Sequence, residues 1–106
     1  MNTTENNKLI AEFMGWRIQK DPTERFFGRY KSPIGTWYKE IDLAFHQDWN
    51  WLMEVVEKMK NIILLKGITF TNELIAGLIT VNKEATYNAC VEFIKWHNEQ
   101  NNNRAE

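Results

Sequence analysis

Apolar residues recur at helical spacing in three stretches of this chain. In the first, Leu9, Ile10, Phe13 and Met14 make one stripe, which predicts a helix from about Glu5 to Met14. Thr4 is placed to cap it, and Gly15 stands where a left-handed residue ends a helix. In the second, Leu52, Val55, Val56 and Met59 follow Trp49 at the same spacing and predict a helix from about Trp49 to Lys60. Asp48 is its N-cap, with the carboxylate near the positive end of the helix dipole. In the third, Tyr87, Cys90, Val91 and Ile94 form a stripe that Ala89, Phe93 and Trp96 widen, within a helix from about Lys83 to Asn98 capped by Asn82. An arc this wide predicts packing on a sheet and on a further surface, such as another subunit.

Between these stretches the pattern changes period. Trp16-Arg17-Ile18 reads as a strand start, and Asp21-Pro22 as a turn. Arg25 to Tyr30 carries β-favouring aromatics, Ser32-Pro33-Ile34-Gly35 reads as a loop or turn, and Trp37-Tyr38-Lys39 as a second short strand. Ile41, Leu43 and Phe45 alternate with Asp42 and Ala44, which suits an extended segment with one buried face. Further on, Ile62-Ile63-Leu64-Leu65 is a continuous apolar run that reads as a central strand. Residues 68–71 read as its neighbour, residues 78–81 as a third piece, and Asn72-Glu73 as the turn between those two. The expected fold class is therefore α+β, a small antiparallel or mixed sheet packed with about three helices. The expected organisation is one domain over residues 1–106, with the asparagine-rich tails, about 1–5 and 99–106, frayed.

Composition changes this picture in three places. Five tryptophans are many for a chain of 106 residues, so some are expected to line a groove or an interface. Trp49 and Trp51 face about 200° apart on one helix, so only one can join the core stripe. Trp51 is then left to pack on the 16–45 region or to offer a stacking surface. The single cysteine, Cys90, excludes an internal disulfide and fits a reducing, cytoplasmic compartment. Cys90 is expected to be a small buried hydrophobe, since His97 lies two helical turns away and cannot activate it directly. No secretory leader or membrane-spanning run is expected.

Charge singles out one segment. Residues 16–40 hold six basic residues against three acidic ones, a local charge of +3 in a chain of net charge −1. Phe26, Phe27, Tyr30, Trp37 and Tyr38 interleave with those basic residues, and basic groups beside aromatic rings can hold phosphates and stack bases. The overall pI of about 6.1 speaks against a long footprint on duplex nucleic acid. At the start of the second helix, His46, Asp48 and Asn50 cluster, but two histidines in the whole chain are too few for a usual zinc site. Helix capping and packing give those residues sufficient work. No cofactor or metal is expected.

Three blocks carry a resemblance. They are Asn7-Lys8-Leu9-Ile10-Ala11-Glu12-Phe13-Met14-Gly15, the run from His46 to Lys58, and the run from Glu84 to Asn98. In this order they resemble a family of short uncharacterised proteins found in phages and in bacteria that carry prophages. The layout more distantly resembles the phage helix–sheet–helix sandwich domains. The resemblance implies a small phage-type accessory protein in a bacterial host cell and supplies no active-site residues. Where that family often has a carboxylate in the second block, this chain has Asn50.

The expected activity is binding, not catalysis. The expected partner is a host protein or a small anionic ligand such as a nucleotide, and the expected state is a homo-oligomer. The expected contacts are Arg25, Arg29, Tyr30, Trp37, Tyr38, His46 and Trp51. A structural or self-assembly subunit is the alternative, and a small hydrolase using His46 with a nearby carboxylate is a third.

Overall fold

The computed structural model describes residues 3–66 and 72–104. Among them are four α-helices, a short 3-10 helix and three two-residue strands, so the fold class is α+β. Backbone proximity groups the chain into two compact units, Met1–Ala44 and Phe45–Glu106.

The first unit holds helix α1 (Thr3–Phe13) and strands β1 (Arg17–Ile18), β2 (Tyr30–Lys31) and β3 (Trp37–Tyr38). Helix α1 begins at Thr3, which puts Thr4 inside the first turn and not at the cap. Its buried side is Asn6, Asn7, Ile10, Ala11 and Phe13. The buried Asn7 amide donates to the Leu43 carbonyl at 2.9 Å, which satisfies a backbone oxygen far along the chain. Helix α1 stops in a Schellman motif. The Trp16 N–H donates to the Ala11 carbonyl, the Gly15 N–H donates to the Glu12 carbonyl, and Gly15 sits at φ +81°.

The three strands form one antiparallel sheet in the order β1-β2-β3, with Arg17 opposite Lys31, Ile18 opposite Tyr30, Tyr30 opposite Tyr38 and Lys31 opposite Trp37. The β2–β3 turn is set by Pro33 and Gly35. The Gly35 N–H donates to the Ser32 carbonyl, Gly35 takes φ +92°, and the Ser32 hydroxyl accepts from the Thr36 N–H. In the β1–β2 loop, Asp21 Oδ1 accepts from the Thr23 N–H and the Thr23 hydroxyl, which holds the Asp21 carboxyl below its usual range. The segment 41–45 is not the extended piece that its alternation predicts. Glu40–Asp42 forms a 3-10 turn that throws Ile41 into solvent, while Leu43 and Phe45 stay buried.

The second unit holds helices α2 (Trp49–Lys66), α3 (Asn72–Ile79) and α4 (Lys83–Arg104). Asp48 caps α2, its carboxylate accepting from the Asn50 N–H at 2.8 Å. The run Ile62-Ile63-Leu64-Leu65 is not a strand; α2 continues through it. The stripe Leu52, Val55, Val56, Met59 simply extends to Ile63 at helical spacing, and Leu64 and Leu65 are 71% and 88% exposed. Residues 78–81 are not a strand either, since α3 occupies 72–79, and Asn72-Glu73 lies in its first turn instead of forming a separate turn. The segment 68–71, also expected as a strand, lies outside the described residues.

Helix α4 is capped by Asn82, whose side chain accepts from the Ala85 N–H. It runs on to Arg104 through the asparagine-rich stretch, where Asn101 Nδ2 meets His97 Nε2 at 3.2 Å. Its stripe of Tyr87, Cys90, Val91 and Ile94 is buried and α4 packs against α3 and α2, while Trp96 at the margin of the wide arc stays exposed. No described helix is long and apolar enough to cross a membrane.

Helix α3 ends as α1 does, with the Asn82 N–H on the Gly77 carbonyl and the Val81 N–H on the Leu78 carbonyl. The left-handed position, however, is held by Val81 at φ +54°. A β-branched residue there is strained. Val81 is also exposed, so it gains little packing in return. Val81→Gly is therefore expected to stabilise the protein by about 1 kcal/mol. A higher urea midpoint with an unchanged slope is the readout.

Candidate functional site

Strand alternation divides the residues of the first unit between two sheet faces. Lys31 is exposed and its neighbour Tyr30 is buried, so the row Arg17–Lys31–Trp37 lies on the open face and the row Ile18–Tyr30–Tyr38 on the other. Gln19 pairs with Arg29 just beyond the strands, the Gln19 N–H donating to the Arg29 carbonyl at 3.0 Å. Period two then places Arg29 with Lys31, and Lys39 with Trp37, on the open face.

The β1–β2 loop brings Phe26 onto this face. Its ring stacks on Trp37 with centroids 5.2 Å apart and planes 20° from parallel. The guanidiniums of Arg25 and Arg29 lie 5.7 Å and 5.4 Å from the Phe26 centroid, and the Lys31 ammonium lies 5.7 Å from that of Trp37. Phe26 holds this position at φ +64°, a left-handed conformation that costs about 1–3 kcal/mol for a residue with a Cβ. The ring stack and the cation–π contacts offset that cost in part, at about 0.5–1.5 and 0.5–1 kcal/mol each. Phe26 remains 37% exposed.

Among the described residues, Arg17, Arg25, Arg29 and Lys31 take part in no ion pair. A carboxylate partner would neutralise a cation, whereas an aromatic ring orients it and leaves its charge and N–H donors available. The face is thus a cluster of pre-positioned, uncompensated cations around two rings.

Arg25, Arg29 and Trp37 are brought together by the fold. Tyr30 and Tyr38 are not part of that cluster. Tyr30 is 1% exposed on the opposite face, where burial raises its phenol pKa and the Lys8 ammonium opposes that rise. Tyr38 packs its ring on Trp16 at 5.5 Å. Two members that the expected contact set lacked, Phe26 and Lys31, are central. Their signal was present in the interleaved sequence, but the ring pairing needed the register and the positive φ.

His46 and Trp51 belong to the second unit. His46 Nε2 lies 2.9 Å from the Gln47 amide nitrogen, and its ring sits edge-on to Tyr87 at 6.1 Å. Lys83 Nζ donates to the Gln47 carbonyl at 2.7 Å and ties this turn to the start of α4. Trp51 stands edge-on to the buried Phe45 at 5.2 Å, the packing role that its position on α2 suggests.

Cys90 is fully buried, and burial pushes its thiol from 9.0 up to about 12; the Tyr87 phenol is likewise pushed from 10.0 to about 12. Both groups ionise in the unfolded chain before they ionise in the folded one, so the stability they contribute is present below pH 9.0 and lost on rising towards about 12. Cys90 alone contributes a slope of up to about 1.4 kcal/mol per pH unit across that window. Urea midpoints measured through the alkaline range should fall, and Cys90→Ala should flatten the fall. Compared with protein-family models, curated proteins and solved structures, the chain matches none.

Proposed function

We propose that this chain is a small phage-type accessory protein that acts by binding, and that its ligand is an anion carrying phosphate, such as a nucleotide. The observation that carries this reading is the set of three cations seated on the stacked Phe26–Trp37 pair, none of them in an ion pair with a carboxylate among the described residues. A phosphate brings the charge that these cations lack and accepts the N–H donors that a guanidinium fork presents. A base or similar flat ring finds aromatic surface beside them. The contacts are Arg25, Arg29, Lys31, Phe26 and Trp37. The binding role needs no acid–base pair.

Calorimetric titration with ATP at low salt tests it. The double variant Arg29→Ala/Trp37→Ala should weaken binding about tenfold or more, since a hydrogen bond to a charged group contributes about 1.5–3 kcal/mol. Unchanged affinity in a folded double variant would remove the site.

A second reading, self-assembly, is favoured by a separate observation. In the second unit Leu64, Leu65, Ile75 and Val81 are exposed large hydrophobics. Apolar surface of this kind marks interaction sites when it is contiguous. Light scattering after size exclusion reads the oligomeric state directly. Leu64→Lys with Leu65→Glu should yield monomer if these residues form the contact.

A further inference from the structure

We infer that the ring-and-cation face binds a short single strand of nucleic acid, with bases against Phe26 and Trp37 and phosphates along Arg17, Lys31, Arg25 and Arg29. This rests on the anionic-ligand reading above and narrows it to one class.

The first argument is the spread of charge. Arg17 and Trp37 stand on the two outer strands of a three-stranded sheet, so their backbones are about 10 Å apart, two interstrand spacings. Arg25 and Arg29 gather on Phe26, stacked on Trp37. A single phosphate group engages only the few cations that can converge on it and leaves the others unmatched. A phosphodiester chain supplies one charge per nucleotide along its length and can match cations spread over two strands and the loop.

The second argument is the rings. A single strand presents bases whose faces can stack on aromatic side chains, and such stacking is tolerant of sequence. A duplex keeps its bases stacked on one another and would use only the charge. An acidic peptide would also leave the rings unused. The protein nevertheless holds Phe26 at φ +64° among the cations and leaves it partly exposed, which is a strained conformation for a phenylalanine.

The third argument sets the size. With a net charge of −1 over the whole chain, the basic excess is confined to this segment, so the footprint is short. Of the acids in the same loop, Asp21 accepts two hydrogen bonds from Thr23, and among the described residues neither Asp21 nor Glu24 forms an ion pair.

The test is fluorescence anisotropy with a labelled oligothymidylate of about ten nucleotides, a length within the range that small single-strand-binding folds cover. Thymidine monophosphate, a duplex of equal length and a poly-aspartate peptide serve as competitors. The expected result is that the oligonucleotide binds at least about tenfold more tightly than any competitor, with log K falling against log salt with a slope near about −3 for four phosphate contacts. Phe26→Gly should weaken binding about tenfold or more while the melting temperature holds, because glycine accepts this positive φ without strain. Arg17→Gln, at an exposed position, should cut the salt slope by about 0.7. It carries the test if Phe26→Gly proves unstable.

If the monophosphate, the duplex or the peptide binds as tightly as the oligonucleotide, the single-strand inference falls and the anion-binding surface stands. Phe26→Gly and Arg17→Gln that both bind the oligonucleotide like the parent protein would also overturn it. If no anion binds the unmodified protein at low salt, both readings fall together.

Discussion

Gly77→Ala is expected to lower the stability of this protein by about 2 kcal/mol or more. Helix α3 crosses α4 at Gly77, and this is the most extensive helix pairing among the described elements. A Cβ built at residue 77 would stand 2.6 Å from the Thr86 hydroxyl oxygen, 2.8 Å from the Thr86 backbone nitrogen and 3.1 Å from its Cα. The hydroxyl cannot swing clear without giving up its hydrogen bond to the Asn82 carbonyl, and the backbone atoms cannot yield at all. Alanine recovers about 1 kcal/mol of helix propensity. That gain is smaller than the cost of pushing α3 off α4, so the sign is destabilising. The melting temperature should fall by about 10 °C, given about 4–8 °C per kcal/mol for a domain of this size. Adding Thr86→Ala should recover only part of the loss, because the backbone clash persists. A Gly77→Ala protein as stable as its parent would show that the two helices do not approach so closely.

The second large effect is expected at Tyr30. It is fully buried on the central strand of the sheet, and Tyr30→Ala should cost about 3–5 kcal/mol, the usual range for emptying a large aromatic site. Such a loss is a large fraction of the roughly 5–15 kcal/mol that holds a typical domain folded. Tyr30→Phe keeps the packed ring and should cost much less. Because Tyr30 faces away from Lys31, Tyr30→Phe should also leave ligand affinity unchanged, whereas Trp37→Ala on the open face should not. Paired urea melts and calorimetric titrations on these three variants separate the two faces. A Tyr30→Phe variant that folds like the parent yet binds more weakly would put the phenol in the site.

The contrast between Gly15 and Val81 explains much of what was and was not legible in the residues alone. Both hold the left-handed position that ends a helix, with the same two backbone hydrogen bonds. Gly15 advertises the stop, so α1 ends where its pattern says. Val81 does not, and with Ile79 and Thr80 beside it the end of α3 looks like a strand. The apolar run at 62–65 misleads for a related reason. Continuous apolar residues suit a strand covered on both faces as well as a helix, and only the extension of the Leu52–Met59 stripe to Ile63 decides between them. The caps at Asp48 and Asn82 were legible because a short polar side chain before an apolar stripe has a local job that needs no tertiary partner.

The candidate surface divides along the same line. Interleaved basic and aromatic residues in the 16–40 segment, and their excess charge, are properties of the chain itself. Which of them share a face is not, because one residue of register moves every side chain to the other side of a sheet. The pairing of Lys31 with Trp37 put the cations and Trp37 on the open face and buried Tyr30 on the other, and the strained backbone at Phe26 added the second ring. By itself, then, the sequence determined the three amphipathic helices, two of their caps, the turn at Gly35 and the charge of the 16–40 segment. All of these depend on residues a few positions apart. The tertiary structure alone decided the helical state of residues 62–65 and 72–79, the close approach at Gly77 and the membership of the ring-and-cation cluster, since each depends on contacts between residues that the chain does not place side by side.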